Sequence, residues 1–181
     1  LIILSLSAVA VLIYAKGYIK PYLGRKSPAQ ISLHYCGLGV LYLSMLLVVT
    51  LRDGFSFLFA WEVMTLSSFV LMLFDAERRE VRRAALSYLI LMHVGFLFLL
   101  AGFVTLYASG LPASFDALAL YGEQGGNIIP LFIVSLMGFG MKAGIFPLHV
   151  WLPEAHPAAP AHISAFMSGV MIKTGVYGVM R

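Results

Sequence analysis

The stretch Ile128–Leu152, IIPLFIVSLMGFGMKAGIFPLHVWL, decides how this chain is read. It is almost wholly apolar and long enough to cross a bilayer, which needs about 20 residues of helix. It nevertheless carries Lys142, about fourteen residues in, or roughly 21 Å along a helix axis at about 1.5 Å per residue. Snorkelling rescues lysines near helix ends, and this one lies too deep for it. Directly after the lysine comes Ala143-Gly144-Ile145-Phe146-Pro147. Proline removes a backbone donor and disfavours helix in the residue before it. The expectation is a membrane helix broken just after a buried lysine, resuming at Leu148 and ending at Pro153. Unpaired backbone at membrane depth is tolerated only inside protein or against water, and broken helices of this kind form ion sites in transporters.

Composition supports a membrane setting. The chain has 181 residues, of which 61% are hydrophobic and 11% charged, against about 25% charged in soluble domains. Its mean hydropathy is +0.93. Around the opening stretch lie five more apolar runs, near Leu1–Ala15, Ile31–Leu51, Phe55–Phe74, Ala84–Tyr107 and His162–Met180. None shows the period-2 alternation of a membrane barrel. The fold class expected is all-α, a polytopic bundle of about six membrane helices, one of them broken. The chain starts and stops at apolar runs and has no signal-peptide pattern, so it is expected to be an internal piece of a longer protein. A division at residues 1–52 and 53–181 is expected, the second part carrying the chemistry.

Topology follows from basic residues. Lys16, Lys20, Arg25 and Lys26 lie in the first connection, and Arg78, Arg79, Arg82 and Arg83 in the third. The second has only Arg52, and neither the fourth (Ser109–Asn127) nor the fifth (Pro153–Pro160) has any. The positive-inside rule puts the odd connections in the cytoplasm. The net charge of +4 comes without a basic, aromatic-interleaved stripe, so nucleic acid is not an expected partner. Cys36 is the sole cysteine and is read as a small hydrophobe.

Three charged residues lie inside the apolar runs: Glu62, Lys142 and Lys173. Each costs about 2.5–3.5 kcal/mol at a helix centre on insertion scales, so each needs a partner, a wet cavity or a neutral form. Glu62 has no basic neighbour in sequence, which makes Lys142 its expected partner across helices. A buried pair adds little stability, so pure stabilisation is the weaker explanation. Lys173 follows Ala161, Ala165 and Gly169 at steps of four. That stripe is expected to admit another helix and turn Lys173 toward protein. His93 is mid-helix and either relays protons or is a hydrogen-bonded structural group. His149, His156 and His162 are further candidate relays near the break. With Glu154 they match no zinc spacing, and neither a metal nor a cofactor is expected. Gly140 and Gly144 fit a helix contact rather than a dinucleotide fingerprint.

The run GMKAGIFPLHVWLPEAHPAAPAHISAFMSGVMIKTGVYGVMR, Gly140 to Arg181, resembles the proton-translocating antiporter-like subunits of respiratory complex I and its relatives. FLFAWEVMTLSSFVLML, from Phe57, resembles the acidic-helix segment of the same family, and acid, lysine, broken helix and second lysine come in the family order. HPAAPAHISAFMSGVMIKTG is most similar to hydrogenase-4 component B and formate hydrogenlyase subunit 3. The resemblance implies a piece of a larger inverted-repeat fold of about fourteen helices, with Glu62, Lys142 and Lys173 at the family's proton-transfer positions. It implies a non-redox, itself non-catalytic, subunit of an energy-converting oxidoreductase in a prokaryotic cytoplasmic membrane. Its partners would be other membrane subunits and, through them, iron–sulfur, hydrogenase or dehydrogenase subunits. Two other readings stand beside it: a subunit of a multi-subunit Na⁺/H⁺ antiporter, and a scaffold subunit that moves no ion.

Overall fold

The computed structural model describes residues 1–181, and the chain is helical with no strands. In order come α1 (Ile2–Ile19), α2 (Pro28–Thr50), α3 (Gly54–Met72), α4 (Arg79–Ala108), α5 (Ala117–Glu123), α6 (Ile128–Ala143), α7 (Leu152–Ala158), α8 (Ala161–Phe166) and α9 (Ile172–Met180). Short 3₁₀ turns extend α1 to Tyr22 and α3 to Asp75, and a π-helical segment, Met167–Met171, joins α8 to α9. Five spans are long and apolar enough to cross a membrane: Ile2–Tyr22, Pro28–Thr50, Gly54–Asp75, Arg79–Ala108 and Ala161–Met180.

The sixth expected crossing differs. α6 stops at Ala143, and residues 144–151 form turns rather than a resumed helix; helix returns only at Leu152, as α7. Pro147 and Gly144 together account for this. Gly144 closes α6 in the left-handed conformation, at φ 66°, which glycine adopts without strain. The Gly144 amide then meets the Met141 carbonyl and the Ile145 amide the Gly140 carbonyl, the paired bonds of a Schellman cap. α4 also begins earlier than its apolar run suggested, at Arg79, because the arginine-rich turn continues the helix into the connection.

Helix starts are fixed by local chemistry. Ser27 and Gln30 form a reciprocal capping box with Pro28 in the first turn of α2. The Asp53 carboxylate accepts from the Ser56 amide at 2.7 Å, and the Ser56 side chain, together with that amide, holds its carboxyl below the usual range. The connections sort to two ends. Lys26 bonds Glu77 at 2.6 Å and the Phe74 carbonyl at 2.7 Å, joining the first and third. Arg52 lies 3.8 Å from Asp116, and the Gly54 amide meets the Ala113 carbonyl at 2.7 Å, joining the second and fourth.

α2 packs on α3, α3 on α4, α4 on α6 and α6 on α9. Leu41, Met45, Trp61, Met64, Tyr88 and Phe166 fill the interior, while Leu43, Phe59, Leu66, Ile90 and Leu97 face outward. α6 and α9 meet closely at a glycine. A Cβ on Gly175 would lie 2.6 Å from the Ala143 nitrogen and 2.7 Å from the Phe139 oxygen. The α9 backbone is thereby seated on the last turn of α6, beside Lys142.

Candidate functional site

The break in α6 sets the site. Trp151, in the turn after Pro147, folds back and donates from Nε1 to the Met141 carbonyl at 2.9 Å. The freed end of the helix is thus satisfied by protein, as backbone at this depth must be. Lys142 sits in that last turn and is only 1% exposed. Its ammonium group reaches across to α3 and α4. Nζ donates to Thr65 Oγ1 at 2.7 Å and to the Tyr88 hydroxyl at 3.4 Å. The Trp61 and Tyr88 rings flank it, with centroids at 5.4 and 5.7 Å, a favourable setting for a cation.

The hydroxyls are themselves ordered. Thr65 donates to the Trp61 carbonyl at 3.2 Å, and Ser68 donates to the Met64 and Thr65 carbonyls. The 2.7 Å contact between Tyr88 and Ser68 therefore uses the tyrosine proton, leaving the Tyr88 oxygen free to accept from Lys142. Two donated bonds are what a neutral amine can supply; an ammonium brings a third N–H. No carboxylate takes that third bond.

Glu62 is the expected partner, and the structure does not make that direct pair. Glu62 lies one turn before Thr65 on α3, but its Oε1 is 2.8 Å from Nε2 of His93 on α4. The physical reason is reach. The side of α3 carrying Trp61, Thr65 and Ser68 faces α6, and Glu62 lies off that line, toward α4. Nδ1 of His93 is 2.9 Å from the Leu89 carbonyl, so Nδ1 carries a hydrogen. Neither carboxylate oxygen receives a well-aligned hydrogen bond, although both are buried. Glu62 is held closely and satisfied poorly, the arrangement of a group that can change partners.

Lys173 is not brought to this cluster. It is exposed, with Nζ bonded to the Ser168 carbonyl inside the π-helical segment. Ala161, Ala165 and Gly169 do not turn it toward the Lys142 cluster. All three lie on the outward face with it, because the opposite face of α8 and α9 carries the larger Ile163, Phe166, Met167 and Met171 that pack into the core. His156 meets Ser164 through Nδ1 at 2.9 Å. His149 has a buried Nδ1 without a partner. His162 pairs with His34 of α2, at 2.7 Å. No three His, Cys, Asp or Glu side chains converge as a metal site would require.

Sequence reasoning missed Trp61, Thr65, Ser68, Tyr88 and His34. Trp61, Thr65 and Ser68 follow helical spacing on one face of α3 beside Glu62, so periodicity alone could have placed them together. Tyr88 and His34 carry no such local signal.

Buried charges, a helix broken at membrane depth and several apolar spans define an integral multi-pass membrane protein with an internal polar site. Residues 52–181 match the family model described as NADH:quinone oxidoreductase/Mrp antiporter, transmembrane, and the chain belongs to that family. It is 39% identical over 169 residues to an uncharacterized protein of Mycobacterium tuberculosis, covering 93% of this chain and 25% of that protein. It is 31% identical over 180 residues to hydrogenase-4 component B of Escherichia coli K12, covering 99% of this chain and 26% of that one. Among solved structures it matches a chain of the membrane-bound sulfane sulfur reductase, an archaeal respiratory membrane complex. The TM-score there is 0.75 at 30% identity, over 97% of this chain and 26% of that chain. The chain thus spans about a quarter of the length of the curated relatives it matches.

Proposed function

We propose that this chain is the proton-handling part of a non-redox membrane subunit in an energy-converting oxidoreductase, of the hydrogenase-4, formate hydrogenlyase or NADH–quinone oxidoreductase type. The observation that carries this is Lys142: a fully buried lysine at the broken end of α6, bound by hydroxyls rather than by a carboxylate. Glu62 stands one turn away on α3 with its carboxylate on His93. Glu62 rests against His93 while Lys142 rests among Thr65, Tyr88 and Trp61. When the carboxylate swings toward Lys142, the amine is stabilised as an ammonium; when it returns to His93, that stabilisation is withdrawn. A tenfold change in proton occupancy needs only about 1.4 kcal/mol of changed interaction. Lys173 would take the proton onward from the outward face of α9, and His149 and His156 would serve near the break. Membrane subunits of the same assembly, and through them iron–sulfur or hydrogenase subunits, are the proposed partners.

The family description also covers Mrp antiporters, so a Na⁺/H⁺ antiporter subunit is the second reading. One experiment serves both. The full-length subunit with Lys142→Arg is assembled in its complex in sealed vesicles, and proton and sodium movement are followed. Arginine keeps the charge and does not release its proton. Proton movement should stop while assembly survives; normal proton movement would end the switch mechanism. Loss of sodium-coupled movement without any redox drive would favour the antiporter reading.

A further inference from the structure

Two buried imidazoles lie outside the Lys142 network. His34, in the second turn of α2, and His162, in the first turn of α8, are 3% and 2% exposed. Their Nε2 atoms are 2.7 Å apart. Two nitrogen lone pairs would repel at that distance, so one ring donates its Nε2 proton to the other. The consequence falls on His162. If His34 donates, His162 carries its hydrogen on Nδ1, a buried donor with no acceptor. If His162 donates, Nδ1 is a buried acceptor with no donor. Nδ1 of His162 is buried and unpartnered in either case. A brace between α2 and α8 has no use for such an atom, because an unsatisfied buried group is destabilising. A group that passes a proton needs a second port.

The surroundings fit that use. From α1, Tyr18 and Tyr14 approach His162, with ring centroids at 4.9 and 6.4 Å. From α2, Tyr35 lies edge-on to His34 at 6.3 Å, and from the turn after α3, Phe74 covers His34 at 4.6 Å. No carboxylate, lysine or arginine forms a hydrogen bond or ion pair with either ring. Nearest on the loop side is Lys26, its Nζ 5.3 Å from the centroid of the same Phe74 ring and bonded to Asp75 and Glu77. The pair therefore lies immediately inside the loop end that also carries the arginines of the third connection.

We propose that His34 and His162 form a proton-loading site at this end of the bundle. The pair takes one proton from water at the loop end and holds it as an imidazole–imidazolium couple across the Nε2–Nε2 contact. It releases that proton from Nδ1 of His162 to a water molecule seated there. The ligand class is a proton with its water, and the net change is one proton gained and one lost. The inference rests on the proton-handling function proposed above.

The test uses the full-length subunit in its assembled complex in vesicles. His34→Gln and His162→Gln keep a polar group of similar reach but cannot carry a proton. Lys142→Met runs beside them. Each glutamine variant should assemble and lose tenfold or more of the proton movement. Both moving protons at the wild-type rate, while Lys142→Met is inactive, would overturn the pair alone. Wild-type movement in Lys142→Met as well would instead overturn the wider function. A second readout needs no variant. In the wild-type complex labelled with ¹⁵N-histidine, the two imidazoles should take up a single proton between them on acidification, with one strongly deshielded shared proton. Two rings that take up no proton throughout the acid titration of the folded complex would overturn the proposal.

Discussion

Replacing Lys142 with methionine separates chemistry from packing. Lys142 is among the largest fully buried side chains, its Nζ lying over the Trp61 and Tyr88 rings. Methionine is unbranched, similar in length and apolar. Its arrival strands no partner, because Thr65 keeps the Trp61 carbonyl and Tyr88 keeps Ser68. A swap of this kind costs less than about 1.5 kcal/mol, and removing a charge from the interior offsets part of that. Lys142→Ala instead removes the whole stem. Large-to-small changes in cores cost about 2–5 kcal/mol, a loss on the order of thirtyfold or more in the folded-to-unfolded ratio. The assay pairs abundance of the assembled complex with proton movement per assembled complex. Methionine should give near-normal abundance and no movement; alanine should lose both. Methionine assembling as poorly as alanine would refute the packing argument. Methionine moving protons at more than a tenth of the wild-type rate would refute the role of the amine.

The other expectations concern separate parts of the fold. His93→Gln takes the imidazole from Glu62, so proton movement should slow tenfold or more at normal abundance; an unchanged rate would remove His93 from the cycle. Gly175→Ala would place a Cβ 2.6 Å from the Ala143 nitrogen. Backbone cannot yield as a side-chain tip can, so thermal stability of the complex should drop by about 1–3 kcal/mol, and no drop would contradict the close α6–α9 contact. Glu77 is held below the usual carboxylate range by its bond to Lys26. That bond's contribution is complete above the ordinary carboxylate pKa and fades as pH falls through the lowered value. Glu77→Gln should flatten that acid-side loss, which a pH series of thermal melts would detect. A cysteine placed at Glu80 should resist labelling from outside intact cells; efficient labelling would reverse the topology.

What could be read from the chain, and what could not, divides along local and long-range physics. The spans were legible because hydrocarbon thickness fixes helix length. The break was legible because Pro147 and Gly144 act on their own neighbours. The depth of Lys142 followed from the same register. The partner of Glu62 was not legible. It depends on how α3 is rotated against α4 and α6, a matter of ridge packing that no single helix encodes. The outward turn of Lys173 was missed for a related reason. A stripe of small residues permits close approach without requiring it, and the larger side chains of Phe166 and Met171 took the inner face. His34 drew no attention because its significance comes entirely from His162, far along the chain.

For the proton transfer proposed above, the position of Glu62 serves better than the expected ion pair would have. A carboxylate locked onto Lys142 in a dry interior would be hard to part from it, since separating a buried pair costs about 3–5 kcal/mol when one partner is left bare. Here the alternative partner, His93, is already in contact at 2.8 Å and carries a half-exposed ring on the next helix. Lys142, meanwhile, keeps two hydroxyl acceptors and two aromatic faces when the carboxylate is absent. Neither residue is abandoned in either state. In the proposed switch, giving each charge a second place to rest lowers the barrier between the states, and the direction of transfer is set by small changes at the edge of α4, where His93 lies.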